Sequence, residues 1–151
     1  MSDHPGLPAL PVTFRPGLTR AVLLSAGAAI LAVITAVAVL LDGLGPGERL
    51  SFVLVAVLLC GVLVLLARPK VVADDRGVTV VNIVARRQLA WAEIVQVNLR
   101  PGDPWVFIDL SDGTSLPALG IQPGIARQRA ISDARALRAL AESRTAGPDR
   151  G

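Results

Sequence analysis

A chain of 151 residues with one histidine, His4, and one cysteine, Cys60, holds few groups that attack a substrate or ligate a metal. A zinc site, a Ser/His or Cys/His nucleophile pair and a disulfide framework each need more than this within one chain. His4 lies in a proline-rich stretch and reads as solvated, whereas Cys60 lies in an apolar run. Asp109 and Asp112 are close enough in sequence to suggest paired carboxylates, one general acid and one base. Each has a plainer reading. Asp112 belongs to the turn Ser111-Asp112-Gly113, and Asp109 is the outward position between Ile108 and Leu110. The glycines are scattered through turns rather than gathered into a phosphate-cradling loop. Catalysis, a cofactor, a bound metal and a small-molecule substrate are therefore not expected.

The remaining reactive inventory is charge. Fifteen Lys and Arg stand against twelve Asp and Glu, a net +3. Arg68, Lys70, Arg76, Arg86 and Arg87 follow directly on an apolar run. They are not interleaved with aromatic residues and share their region with acids, which argues against nucleic acid as a partner. Near an anionic leaflet each basic residue is worth about 1 kcal/mol. These five are the candidate contacts to membrane lipid or to a protein partner. The same charges also satisfy the rule that basic flanks stay inside the cell.

The apolar runs explain why that rule applies. Ala21–Leu41 carries no charge, nor does Leu50–Ala67. A bilayer core of about 30 Å takes roughly twenty helical residues, so both runs are long enough to cross. Asp42 to Arg49 between them is rich in Gly and Pro and suits a tight hairpin. A buried core helix and a cleavable signal peptide are the rival readings. The first fails on how little chain there is to cover two such runs, and the second on the apolar residues that continue past Ala36-Val37-Ala38. Arg15 and Arg20 precede the first run, Arg49 alone lies in the loop, and the five basic residues follow the second. Both termini are thus expected in the cytoplasm, in a multi-pass protein of the cell membrane. Neither run holds an ionisable residue, which excludes an ion path or proton relay. Ser25, Ala29, Ala32 and Ala36 share a helical stripe, and Ala56, Cys60 and Gly61 offer small residues on the partner.

Four segments follow. Residues 1–19, with four prolines, read as a disordered arm; 20–67 as the hairpin, with spans at about 21–41 and 50–67; 68–143 as a β-domain; and 144–151 as a disordered tail. Within the third, β-branched runs over residues 71–73, 77–84, 88–91, 94–99, 105–110 and 114–119 alternate with turns such as Asp74-Asp75-Arg76-Gly77 and Ser111-Asp112-Gly113. Five to seven short antiparallel strands predict a small sandwich or partly open barrel. Arg86 and Arg87 are expected in a turn with free side chains. Residues 126–144 predict a helix with Ala126, Ala130, Ala134, Leu137 and Ala141 on its buried stripe, and Arg127, Arg129, Arg135 and Arg138 on a solvated face.

Short meandering strands closed by one helix resemble a pleckstrin-homology-like (PH-like) domain. More narrowly, Asp75-Arg76-Gly77-Val78, Arg87-Gln88-Leu89-Ala90-Trp91-Ala92-Glu93-Ile94, Trp105, Leu110-Ser111-Asp112-Gly113 and Leu137-Arg138-Ala139-Leu140 resemble the bacterial PH-domain family. That family is common in actinobacterial membrane proteins with two amino-terminal spans. The resemblance covers roughly residues 68–143 and implies a membrane-anchored β-sandwich plus helix with no defined activity. It does not imply phosphoinositide recognition, because the first strands here read Val71-Val72-Ala73-Asp74-Asp75-Arg76, acidic rather than basic. The expected function is a membrane-anchored interaction module that displays its β-domain to a protein partner at the cytoplasmic face. The alternative is a structural or scaffold protein facing anionic lipid.

Overall fold

A computed structural model describes residues 7–146. The chain forms two compact units, one made of the sequence up to Pro16 together with that from Pro69 onward, the other of Gly17–Arg68. His4 and residues 147–151 of the expected tail lie outside the described residues.

The second unit is a helical hairpin of α1 (Gly17–Leu40) and α2 (Pro46–Leu66). Both helices are long and apolar enough to cross a membrane, and only 11% and 6% of their apolar windows are buried within the chain. A core helix hides its apolar stripe, but these helices show Leu and Val on every side, a surface suited to lipid. The start of α2 is well specified. Pro46 supplies a helical φ at its first position, and the Gly45 N–H donates to the Glu48 carboxylate at 2.9 Å. Arg49 donates from Nε to the Leu44 carbonyl at 3.2 Å and so ties the loop down.

The helices meet at Gly27, Ala38 and Ala56, which are buried, with Leu31 and Ile34 half-buried on the same face of α1. The stripe Ser25, Ala29, Ala32 and Ala36 is exposed instead. Both stripes have the same helical spacing, so periodicity does not separate them. A Cβ on Gly27 would stand 3.4 Å from the Cys60 Sγ and 3.6 Å from the Leu63 Cβ, ordinary van der Waals contact, so α1 packs its Gly27 face against Cys60 and Leu63 of α2.

The other unit has two antiparallel sheets. The first orders β1 (Val12–Phe14), β2 (Lys70–Ala73), β3 (Gly77–Val81) and β4 (Arg86–Ala90) side by side. A 3-10 turn, Trp91–Glu93, leads into the second, ordered β5 (Ile94–Asn98), β6 (Val106–Leu110) and β7 (Ser115–Ala118). Helix α3 (Arg127–Thr145) completes the unit. Val71, Val80 and Leu89 from the first sheet meet Val97, Val106 and Ile108 from the second in one core, which Leu137 and Leu140 of α3 close. The arrangement is a sandwich with a helix, as the strand runs imply, and the sheets do not close into a barrel among the described residues. Trp91 fills the core, and its indole N–H donates to the Asp74 carbonyl at 3.0 Å. Gly77 is required where β3 starts, since a Cβ there would lie 1.9 Å from the Leu89 carbonyl oxygen.

β1 corrects the expectation of a disordered arm over residues 1–19. Val12, Thr13 and Phe14 pair with Ala73, Val72 and Val71, and Phe14 is 5% exposed in the core. Prolines on either side hide this short β-prone run, whose partner strand lies beyond both apolar helices. Helix α1 likewise starts at Gly17, inside the expected arm, and α3 runs to Thr145, into the expected tail. The run expected as a strand over 77–84 stops at Val81, and Arg86 and Arg87 belong to β4 rather than to a turn. As the edge of its sheet, β4 shows polar side chains outward and lacks the apolar alternation that would mark it.

Replacing Phe14 by Ala should cost about 3 kcal/mol, the low end for a buried aromatic. The readout is the unfolding midpoint of tryptophan fluorescence for the full chain in detergent, and an unchanged midpoint would remove β1 from the fold. Gly77→Ala should destabilise by about 1–3 kcal/mol through overpacking in the same assay.

Candidate interaction surface

The five basic residues are not one patch. Arg68 ends the helical unit and is exposed. Lys70, Val81 and Arg86 are register partners across β2, β3 and β4, so Lys70 and Arg86 share a face about 10 Å apart, two strand spacings. Arg76 sits at the opposite end of these strands, in the β2–β3 turn, where its backbone N–H donates to the Asp74 Oδ1 at 2.9 Å. Arg87 pairs with Val80 and therefore lies on the other face from Arg86, yet it too is exposed. It faces the turn after β6, where its charge helps to hold the Asp112 carboxyl below the usual range.

The larger causes of that shift are local. Asp112 Oδ1 accepts the Thr114 hydroxyl at 2.5 Å and the Thr114 N–H at 2.9 Å. Gly113, at φ +85, turns the chain beside it. Asp109 is also committed. Its oxygens accept from Asn98 Nδ2 at 2.6 Å and from the Ser115 hydroxyl at 2.8 Å, a ladder across β5, β6 and β7. Each carboxylate thus braces strands or a turn. No group of three or more His, Cys, Asp or Glu is placed to hold a metal among the described residues.

At the Lys70–Arg86 end, residues 82–85 form the β3–β4 turn, and Val84 at its tip is 90% exposed. The base of this turn is rigid. Asn82 Nδ2 donates to the Pro117 carbonyl at 2.8 Å, and its Oδ1 accepts the Leu119 N–H at 3.1 Å. Strand edges differ in the same way. Asn82 covers backbone groups of the β7 edge, and Arg138 Nε and Nη2 donate to the Val97 carbonyl of β5 at 3.0 and 2.7 Å. β1 has three residues. Residues 86–89 of β4 have β3 on one side only, and their outward backbone groups find no partner among the described residues. β4 is the open edge.

Sequence reading missed both covering residues. Asn82 was placed inside a strand, although Asn closing a β-branched run is a turn former. Arg138 is exposed, as expected of a solvated face, but it follows Leu137 directly and stands one turn after Ala134, both on the buried stripe, so its guanidinium still reaches the β5 edge. Trp105 is half-buried with its ring tilted on Phe107, at 6.5 Å between centroids.

Comparison with known proteins agrees with this architecture. Residues 68–140 match the family model described as a bacterial PH domain. The match begins after the hairpin, so β1 lies ahead of it. Uncharacterized proteins of Mycobacterium tuberculosis and Mycobacterium bovis are each 29% identical over 93 residues, which is 62% of this chain and 60% of the relative. The chain thus spans about 60% of the length of these relatives. No solved structure matches it.

Asp112 gives a pH prediction with a definite sign. Its carboxyl is held below its ordinary 3.8 in the folded state, so its stabilisation is present above that value and is lost as pH falls through the folded pKa. Asp112→Asn should lower the melting temperature at neutral pH and flatten the acid side of its pH profile. Parallel profiles for the two proteins would contradict the assignment.

Proposed function

We propose that the chain, whose residues 68–140 match a bacterial PH domain model and follow two apolar helices, is a membrane-anchored, non-catalytic interaction module at the cytoplasmic face of the cell membrane. It presents its β-domain to a protein partner, and the open β4 edge carries this reading. An edge strand with free N–H and C=O groups accepts an extended segment as an added strand. Arg86, Arg87 and Gln88 are exposed along it and favour an acidic segment.

Charge supports both termini being inside, and strand pairing supports their lying on one side. Basic residues flank the two apolar runs, with Arg15 and Arg20 before the first and Arg68, Lys70 and Arg76 after the second, while Arg49 alone lies between the runs. In addition, β1 and β2 pair in one sheet from either side of the hairpin, which two crossings allow only when both flanks lie on the same side.

One observation favours the second reading, contact with anionic lipid. Val84 is an exposed apolar tip beside Arg86, with Lys70 in the same row, an apolar and basic pairing suited to headgroups. Only Ala67, Arg68 and Pro69 separate α2 from β2, a short tether in keeping with contact to lipid.

Topology is read by thiol labelling in a Cys60→Ala background. Asp42→Cys should react with an impermeant maleimide in intact cells and Ser143→Cys only after permeabilisation; the reverse would sink the cytoplasmic assignment. A photo-crosslinking residue at position 88 should capture one protein stoichiometrically in native membranes, and Arg86→Glu with Arg87→Glu should abolish that capture. Lipid captured from position 84, with no protein from position 88, would replace the first reading by the second.

A further inference from the structure

On the α3 side of the β-unit, away from the β4 edge, a cleft of about 400 Å³ lies between the β5–β6 connection and α3. Leu99, Ile131 and Ala134 give it apolar walls, and Arg100, Arg127, Arg135 and Arg138 also line it. Arg138 is already held, with Nε and Nη2 on the Val97 carbonyl, which leaves its other N–H groups fixed in direction. Arg100, Arg127 and Arg135 have no side-chain hydrogen bond or ion pair among the described residues, where the one salt bridge joins Arg144 to Asp75. The single carboxylate of the lining, Asp103, accepts the Arg100 backbone N–H at 2.9 Å and serves its own turn.

This concentration of charge runs against helix electrostatics. The first turn of α3 holds Arg127 and Arg129, no acid, and no side-chain cap, where the positive end of the helix favours an anion. Four guanidinium groups and a free helix end around one cleft repel one another, a cost that a multiply charged anion removes. Guanidinium forks match the oxygens of phosphate in particular, and the volume falls within the range of small-molecule sites.

We propose that this cleft binds a phosphate group, held by Arg100, Arg127 and Arg135 against the fixed Arg138, with any apolar part of its ligand on Ile131 and Leu99. The phosphate belongs either to a soluble phosphate ester or to an anionic phospholipid headgroup. The site is separate from the β4 edge, so it stands or falls independently of the partner reading above.

The test uses the full chain in nanodiscs of zwitterionic lipid, with thermal unfolding followed as inorganic phosphate or glycerol phosphate replaces chloride at constant ionic strength. A parallel series adds phosphatidic acid to the nanodisc. Saturable stabilisation is expected in at least one series. Arg127→Ala and Arg135→Ala should each weaken it about tenfold, the worth of one charge-assisted hydrogen bond. In chloride alone both alanine variants should melt at the same temperature as the parent or higher, because repulsion is relieved. A response to soluble phosphate assigns a soluble ligand, and a response to phosphatidic acid alone assigns a lipid. Absence of both responses, equal responses in the alanine variants, or variants that melt lower in chloride would overturn the proposal.

Discussion

The fold depends on a three-residue contact that spans the whole hairpin. Val12–Phe14 and Val71–Ala73 exchange backbone hydrogen bonds, and between them in sequence lie both apolar helices. A sheet of four strands is assembled from a chain that leaves it after the first and returns to form the other three. The two ends of the hairpin are thereby fixed side by side, and Phe14 brings a side chain into the core from ahead of the helices. An apolar excursion that closes on a hydrogen-bonded strand pair is a stronger constraint than a linker, because the pairing has a register and a hydrophobic residue to enforce it.

The polar groups of the β-unit divide into committed and free. Asp74, Asp109 and Asp112 spend their oxygens on turns and strands, and Asn82 and Arg138 cover two of the sheet edges. Asp133, half-buried on α3, has its carboxyl pushed up by desolvation against the smaller pull of Arg129. What is left unspent is mostly arginine, along the β4 edge and around the α3 cleft. In this unit the acids build the scaffold, and most of the bases remain exposed at its surface.

The hairpin was legible because two long, uniformly apolar runs about a Gly- and Pro-rich loop are displayed by a single sequence. Strands β2 to β7 were legible in outline because turn residues punctuate them at short intervals. β1 was not, since its partner is remote in sequence and its own three residues differ little from the surrounding arm. The seam between the helices escaped for a different reason. Two stripes of equal period compete, and which of them faces the partner helix is visible only once Gly27 is seen against Cys60. The basic cluster was found as composition and divided by register, with Lys70 and Arg86 in one row, Arg87 on the opposite face and Arg76 at the far end. The cleft escaped because its walls come from a loop and a helix separated by two strands, and each looks ordinary alone.

The position of β1 also sets an order of events during synthesis. The ribosome delivers this strand first, then two greasy segments, and only afterwards the neighbour it must join. Long-range pairing of this kind is slow and exposes unpaired backbone while it waits. Completion of the sheet therefore waits until both helices have been made. The finished first sheet is in this sense a receipt for a completed hairpin, since the flank of β2 that β1 covers stays open until the two strands meet.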